Sequence, residues 1–312
     1  MCSRRKLLLC YTWQMVKEFR VEILLYRIIQ CTITGIMIGS VYALIAFGFN
    51  IISGIVRITN FAHGMFVLVG MYLTMTFSPL FGLDPYLALV FTLPASFVIG
   101  VFLHRLFVHP ILTAPKINQF ILTLGLKIFL ENCLLMIFGG EYKGMTTWYT
   151  SKSIQFEYIS INYALLFAFI ATALGMVSII YMLYKTRLGK AMRAVADDKE
   201  AAAILGTNVW NIYAVSFGLA AVLAAIAGAA TVSYMVVAPS DGTDIVIKAF
   251  MVTIFGGPGS IAGTILGGLF LGLLENLGVL VFSPNLASAL ALSGMVIVIL
   301  FRPQGILGKK TT

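Results

Sequence analysis

Apolar stretches of about 18 residues mark candidate membrane spans, and they recur at 31–52, 61–77, 86–103, 117–138, 161–184, 212–237, 261–282 and 286–301. A helix of about 20 residues crosses the hydrocarbon core, so the pattern predicts eight firm transmembrane helices. A ninth stretch, at 245–255, has only about eleven residues. It reads either as a tilted helix extended at both ends or as a re-entrant segment. The connections are short and polar, and the expected fold class is all-α, a polytopic transmembrane helix bundle.

Composition agrees and narrows the function classes. Of the 312 residues, 60% are hydrophobic and 11% charged, against about 25% charged in soluble domains. A water-soluble globular chain is excluded, and no length remains for a separate soluble catalytic domain. The four cysteines, Cys2, Cys10, Cys31 and Cys133, show neither CxxC spacing nor a histidine at ligand distance. Neither a structural disulfide nor a metal site is expected, and no cofactor is implied. Arg4, Arg5 and Lys6 precede an apolar run too short for a signal-peptide core, with no small-residue cleavage site after it.

The chain carries 21 Lys and Arg against 12 Asp and Glu, a net +9. In a soluble protein that surplus would raise nucleic-acid binding; in a membrane protein it signs the connections. The stretches 104–116 and 185–200 carry +2 each, the C-terminal end +3, and Arg57 adds one more, whereas 78–85, 139–160 and 238–248 come to −1, 0 and −1. The basic connections and the C-terminus are therefore expected on the cytoplasmic side of the inner membrane. Residues 1–30, at +4, break the alternation. They read as a basic N-terminal extension, either holding a membrane-surface helix or preceding a natural start such as Met15. Residues 309–312 read as a basic tail.

Small residues recur at four-residue steps: Gly35, Gly39 and Ala43; Ala220, Ala224 and Gly228; Gly263 with Gly267; Gly268 with Gly272. At that spacing helix backbones can approach closely inside a bilayer, which argues for compact packing and says little about chemistry.

The longest polar insertion is 185–211. Leu188, Met192, Val195 and Ala202 fall at three- and four-residue steps with a final step of seven, which predicts one short amphipathic helix ending at Gly206. Within it, Glu200-Ala201-Ala202 followed four positions later by Gly206 resembles the coupling signature with which ABC-transporter permeases dock on their ATPase subunits. Two further pairs of segments carry a resemblance. Gly39-Ser-Val-Tyr-Ala-Leu-Ile-Ala-Phe-Gly48 precedes Arg57-Ile-Thr-Asn-Phe-Ala-His-Gly64, and Phe255-Gly-Gly-Pro-Gly-Ser-Ile-Ala-Gly263 precedes Arg302-Pro-Gln-Gly-Ile-Leu-Gly308. Over residues 31–308 the chain is similar to the branched-chain amino acid ABC permease family, most of all to its shorter, LivH-type inner-membrane subunit.

That resemblance implies a transport subunit working with a second homologous permease, two ABC ATPase subunits and an extracytoplasmic substrate-binding protein. It implies that Gly189, Arg193, Glu200, Ala201, Ala202, Leu205 and Gly206 form the ATPase-coupling element, with 185–211 as the cytoplasmic coupling loop. The chain has no G-x-x-x-x-G-K-[ST]; at the nearest candidate, Gly189-Lys190, Ala191 follows and Tyr184 stands where the first glycine belongs. ATP hydrolysis is thus expected from a partner, and the chain itself is not expected to be an enzyme.

Asn60, Phe61, His63 and Gly64 begin the second span. They read either as structural, with Asn60 capping a helix and His63 bonding to a nearby backbone, or as part of the translocation path. The ionisable groups inside spans are Lys127, Glu131 and Glu275, each expected to avoid lipid. Lys127 and Glu131 stand at i and i+4 and can pair with each other. Glu275 has no partner on its own helix and is expected either to make an interhelical hydrogen bond or to meet a substrate ammonium along the path. Competing expectations are a related permease for urea or short amides and an ion-coupled secondary transporter using Glu131 and Glu275. An intramembrane enzyme lacks any HExxH, paired Asp or Ser/His arrangement.

Overall fold

The computed structural model describes residues 3–156, 159–302 and 305, with side chains from residue 22 onward save that of residue 299. The 309–312 tail and most of the 302–308 motif lie outside the described residues. The described residues form eleven α-helices and one hairpin, with short π-helical turns at Ile52–Val56 and His104–Val108 and 3-10 turns at His109–Ile111 and Pro239–Asp241. The helices are α1 (Ser3–Ile51), α2 (His63–Phe81), α3 (Leu89–Leu103), α4 (Lys116–Phe138), α5 (Tyr163–Lys185), α6 (Arg187–Asp197), α7 (Lys199–Ile204), α8 (Val209–Val232), α9 (Gly242–Gly256), α10 (Ile261–Gly278) and α11 (Pro284–Phe301). Strands β1 (Ser153–Phe156) and β2 (Ile159–Asn162) pair antiparallel, with Ser153 opposite Asn162.

Every predicted apolar segment falls on a helix, most of its length helical. Among the described residues seven helical stretches are long and apolar enough to cross a membrane, from Glu22–Val56 to Ile261–Gly278. The 286–301 segment lies in helix α11, which runs 18 residues from Pro284 to Phe301. The 245–255 segment is α9, which extends it at both ends yet reaches only 15 residues. Helix α1 runs without a break from Ser3, so its backbone passes through the 1–30 region that the charge pattern set apart.

Helices α1 and α8 form the centre, each burying 78% of its most apolar window, while α4 buries only 22%. Apolar side chains such as Ile121, Ile128, Met136, Leu174 and Val177 face outward on α4 and α5, as expected of a surface solvated by lipid chains rather than water. The small-residue ladders explain the central contacts. A Cβ on Gly39 would come 2.8 Å from the Gly268 carbonyl oxygen, and one on Gly268 would come 2.6 Å from Ala43 Cα. The α1 and α10 backbones therefore touch, which only hydrogen side chains permit. On α8, Ala225 meets Gly70 and Gly228 meets Val67 and Met71, seating α2 in the same way.

The two ends of the bundle differ. At the end where α8 closes, the 139–162 connection folds over the helices: Lys143 and Val237 exchange backbone hydrogen bonds of 2.9 and 2.8 Å, and the Tyr149 hydroxyl donates to Asp84 at 3.3 Å. Gln30 of α1 exchanges two hydrogen bonds with the Ser160 backbone, at 2.6 and 3.0 Å, fixing β2 on the first span. The opposite end, where α8 begins, carries α6 and α7.

Candidate functional site

The polar insertion is built from two helices rather than the single amphipathic one expected. Thr186 opens α6, its Oγ1 accepting from the Gly189 amide at 3.1 Å. Gly189 packs against the Met182 and Leu183 carbonyls so closely that a Cβ could not fit, which lets α6 fold straight back from α5. Met192 and Val195 are buried, and the Arg193 guanidinium lies 4.9 Å from the Tyr184 ring centre. At Asp198 the backbone turns extended (φ −146°, ψ 109°) and its carboxylate accepts from the amides of Glu200 and Ala201 at 2.8 and 3.1 Å. Those bonds satisfy the free amides of a new helix start, so Ala202 belongs to α7 and not to the stripe of α6. The amides of Ala201 and Glu200 also hold the Asp198 carboxyl below the ordinary aspartate range.

Helix α7 ends as the sequence predicts. Gly206 takes φ +85°, its amide donates to Ala203 O at 2.9 Å and that of Thr207 donates to Ala202 O at 3.0 Å. This pair of bonds is the Schellman closure that a left-handed glycine makes possible. Ala202 is buried beneath, while Ile204 and Leu205 are 86% and 84% exposed. Two bulky apolar side chains thus stand at the tip of a short, capped helix.

Arg57 ties this element to the bundle. Its backbone is left-handed (φ +59°), alone in that among the described non-glycine residues, and such a conformation is strained for a side chain with a Cβ. The turn aims the guanidinium at the end of α6, where it donates to Ala196 O at 2.9 Å. A cation at a helix C-terminus satisfies free carbonyls and complements the dipole. Lys116 of α4 in turn donates to Arg57 O at 2.7 Å. A crevice of about 700 Å³ runs beside this linkage, walled by Arg57, Lys116, Lys199, Glu200, Trp210 and Tyr213.

A second cavity, of about 610 Å³, lies among α1, α9, α10 and α11 and reaches the 233–241 connection at the other end of α8. On its wall Lys248 Nζ stands 3.1 Å from Glu275 Oε2. The Tyr42 hydroxyl donates to the same oxygen at 2.8 Å, and Lys248 donates to the Tyr42 hydroxyl at 2.6 Å. Glu275 therefore makes the interhelical bonds expected of it, and one partner is a residue that sequence reasoning assigned to a polar connection. Lys248 lies inside α9 and already within the 245–255 stretch, so counting the ionisable groups of that stretch with those of the spans would have found it.

The other path candidates are packed. Asn60 and His63 are fully buried and line neither large cavity. The Asn60 side chain accepts from the Ala62 amide at 3.0 Å, closing the turn before α2. His63 Nε2 meets Ile45 O at 2.9 Å. Phe61 sits between the rings of Phe120 and Phe250, at 4.8 and 4.9 Å, and Gly64 packs on the first turn of α9. Lys127 and Glu131 pair at 2.6 Å on α4. Motifs distant in sequence also converge: Gly48 abuts His63, and Gly305 lies against Gly257, where a Cβ would come 2.5 Å from the backbone.

A bundle of long apolar helices with a capped polar element at one end and a cavity holding an ion pair that reaches the other has the build of an integral membrane protein. Residues 31–301 match the family described as branched-chain amino acid transport system / permease component. The chain belongs to that family, and the family is a transport component rather than an enzyme. It is 33% identical to the high-affinity branched-chain amino acid transport system permease protein BraD of Pseudomonas aeruginosa, over 91% of this chain and 97% of that one. It is 30% identical to LivH of Escherichia coli, over 90% and 96% of the two chains. A more distant likeness, 29% over 53% of this chain, is to the ribose import permease protein RbsC of Escherichia coli. No solved structure matches the chain.

Proposed function

We propose that the chain is the permease subunit of an ATP-driven importer that moves branched-chain or similar hydrophobic amino acids across the cytoplasmic membrane. It works with a second homologous permease, two ABC ATPase subunits and an extracytoplasmic binding protein. The basic connections and the C-terminus face the cytoplasm, so α6 and α7 stand where an ATPase would approach.

The observation that carries the reading is the tip of α7. Ile204 and Leu205 are exposed on a helix capped at both ends, on an element joined to the bundle through Arg57. Exposed apolar side chains on a rigid polar element suit burial in a partner's cleft. Gly189, Arg193, Glu200, Ala201, Ala202, Leu205 and Gly206 then act together: the first two set the angle of α6, Ala202 seats α7, and Glu200, Leu205 and Gly206 form the docking tip. ATP-driven closure of the ATPases would move this element as a body and switch the access of the path.

The test is co-purification and transport in the assembled complex. Glu200→Arg with Gly206→Trp is expected to abolish co-purification of the ATPases, and unchanged co-purification would overturn the docking assignment. Proteoliposomes with all subunits are expected to take up leucine only with ATP. Uptake by this chain and its permease partner alone, driven by an ion gradient, would overturn the ATP-driven reading.

A further inference from the structure

We infer that the cavity beside Lys248 and Glu275 is a zwitterion-reading site, in which Lys248 takes the carboxylate and Glu275 the ammonium of an apolar α-amino acid; this rests on the function proposed above and gives that path a defined binding step. The first support is the cost of the arrangement. Charges within membrane-spanning bundles are expensive, and a buried ion pair is weak evidence for stability, because apolar replacements often serve as well. Helices α1 and α10 already meet through Gly35, Gly39, Gly268 and Gly272, so the Tyr42–Lys248–Glu275 cluster is not needed to hold them together.

The second support is unused bonding capacity. Glu275 is only 8% exposed, and its Oε1 is buried without a hydrogen-bond partner, although Oε2 has two. A buried carboxylate oxygen in that state is costly and accepts a further N–H donor readily. Lys248 is the more open member, its side chain 29% exposed along the cavity wall. An ammonium has three donors, and two are engaged by Tyr42 and Glu275. One remains for a carboxylate.

The third support is the match of charge and shape. An α-amino acid carries its two charges across a single carbon, so it can lie against the adjacent Lys248 and Glu275 with each end on its opposite. The pair is neutral overall: an amine alone would face Lys248 and a carboxylate alone would face Glu275, each with one unfavourable neighbour. The rest of the lining is mixed: Ile38, Val41, Ile45, Met71, Met251 and Leu292 offer apolar surface to a side chain, and Asp241, Asp244, Asn285 and Ser288 are polar. A volume of about 610 Å³ is in the usual range for small-molecule sites and has room for branched side chains of different length.

Binding to the detergent-purified complex, without the binding protein, tests the site directly, using leucine, leucinamide, 4-methylpentanoate and urea. Leucine is expected to bind, and the three analogues to bind at least tenfold more weakly. Lys248→Met and the paired Lys248→Met/Glu275→Leu, each checked for co-purification with the ATPases as a sign of folding, are expected to lose leucine binding at least tenfold. A purely structural ion pair would let the paired apolar variant bind as the unaltered chain does, and that result would overturn the inference. Equal binding of the analogues would overturn it too. If the unaltered complex takes up leucine with ATP but binds none without the binding protein, the site is wrong and the importer reading stands; absence of ATP-driven uptake would count against the importer reading instead.

Discussion

The Arg57 guanidinium donates to the Ala196 carbonyl at 2.9 Å, joining the turn after the first span to the last turn of α6 across 139 residues of sequence. The bond lies at the surface, so its worth is about 1 kcal/mol and its significance is geometric: it couples α1 to the element proposed to meet the ATPase. Arg57→Ala is expected to speed amide exchange over 194–198 and to weaken ATP-coupled uptake. Arg57→Gly relieves the left-handed strain, worth on the order of 1 kcal/mol, and is expected to melt above Arg57→Ala while showing the same faster exchange. Exchange rates unchanged in both variants would show that the anchor is idle.

Asp198 sets where α6 ends and α7 begins. Removing the side chain in Asp198→Ala is expected to loosen the start of α7, read as greater mobility of a spin label on Leu205. Asp198→Asn keeps an acceptor and is expected to keep the tip rigid. The folded carboxyl lies below its ordinary value because the Ala201 and Glu200 amides favour the anion. The sign follows: the contribution is complete above the unfolded aspartate value, about 3.9, and is lost only as pH falls through the lower folded one. The tip should therefore be insensitive to pH from neutral down to about 5, and label mobility rising between pH 7 and 6 would contradict the assignment.

What the sequence made legible follows from the length scale of each signal. Long apolar runs over 31–52 or 212–237 specify helices whatever their neighbours do, and the glycine ladders forecast close backbone packing without saying which helices meet. The pairing of Lys127 with Glu131 was legible because it is local to one helix. Lys248 was not, because its partner Glu275 lies on another helix and its own helix begins with Gly-Thr-Asp, which reads as a turn. The break at Asp198 is masked by good helix formers on both sides, although an aspartate preceding a Glu-Ala-Ala run is an N-cap signal. The hairpin at 153–162 is short and lies in a polar connection, where alternation over four residues carries little weight. The left-handed Arg57 has no sequence signal, since glycine is the usual bearer of that conformation.

The connection over the α8-closing end has its own pH signature. Tyr149 is 2% exposed, and burial pushes its phenol up to about 12. A raised folded value means that the neutral phenol is the stabilising form. Its contribution is complete below the ordinary tyrosine value of about 10 and is lost as pH rises from there toward 12. The melting temperature of the complex should therefore show no tyrosine-linked fall between pH 7 and 9, with a decline above about 10. Tyr149→Phe removes the bond to Asp84, costs about 0.5–1.5 kcal/mol, and is expected to lessen that alkaline decline. A decline of equal size in the variant would assign it to another group.

The close approach of the α1 and α10 backbones supplies the sharpest stability test. A Cβ on Gly39 would stand 2.8 Å from Gly268 O and 2.9 Å from Leu269 Cα, and backbone atoms in a glycine-close contact have little freedom to yield. Gly39→Ala is expected to destabilise by about 1–3 kcal/mol, and Gly39→Leu is expected to prevent recovery of folded protein. Gly125, in the middle of α4, has nothing within 4 Å of an added Cβ. Gly125→Ala gains helix propensity instead and is expected to be neutral or to stabilise by up to about 1 kcal/mol. Both variants add one methyl group to an apolar helix, so hydrophobicity predicts the same sign for each, whereas the contact between α1 and α10 predicts opposite signs. Melting temperatures in one detergent decide between them: a Gly39→Ala variant as stable as Gly125→Ala would mean that the two backbones do not touch.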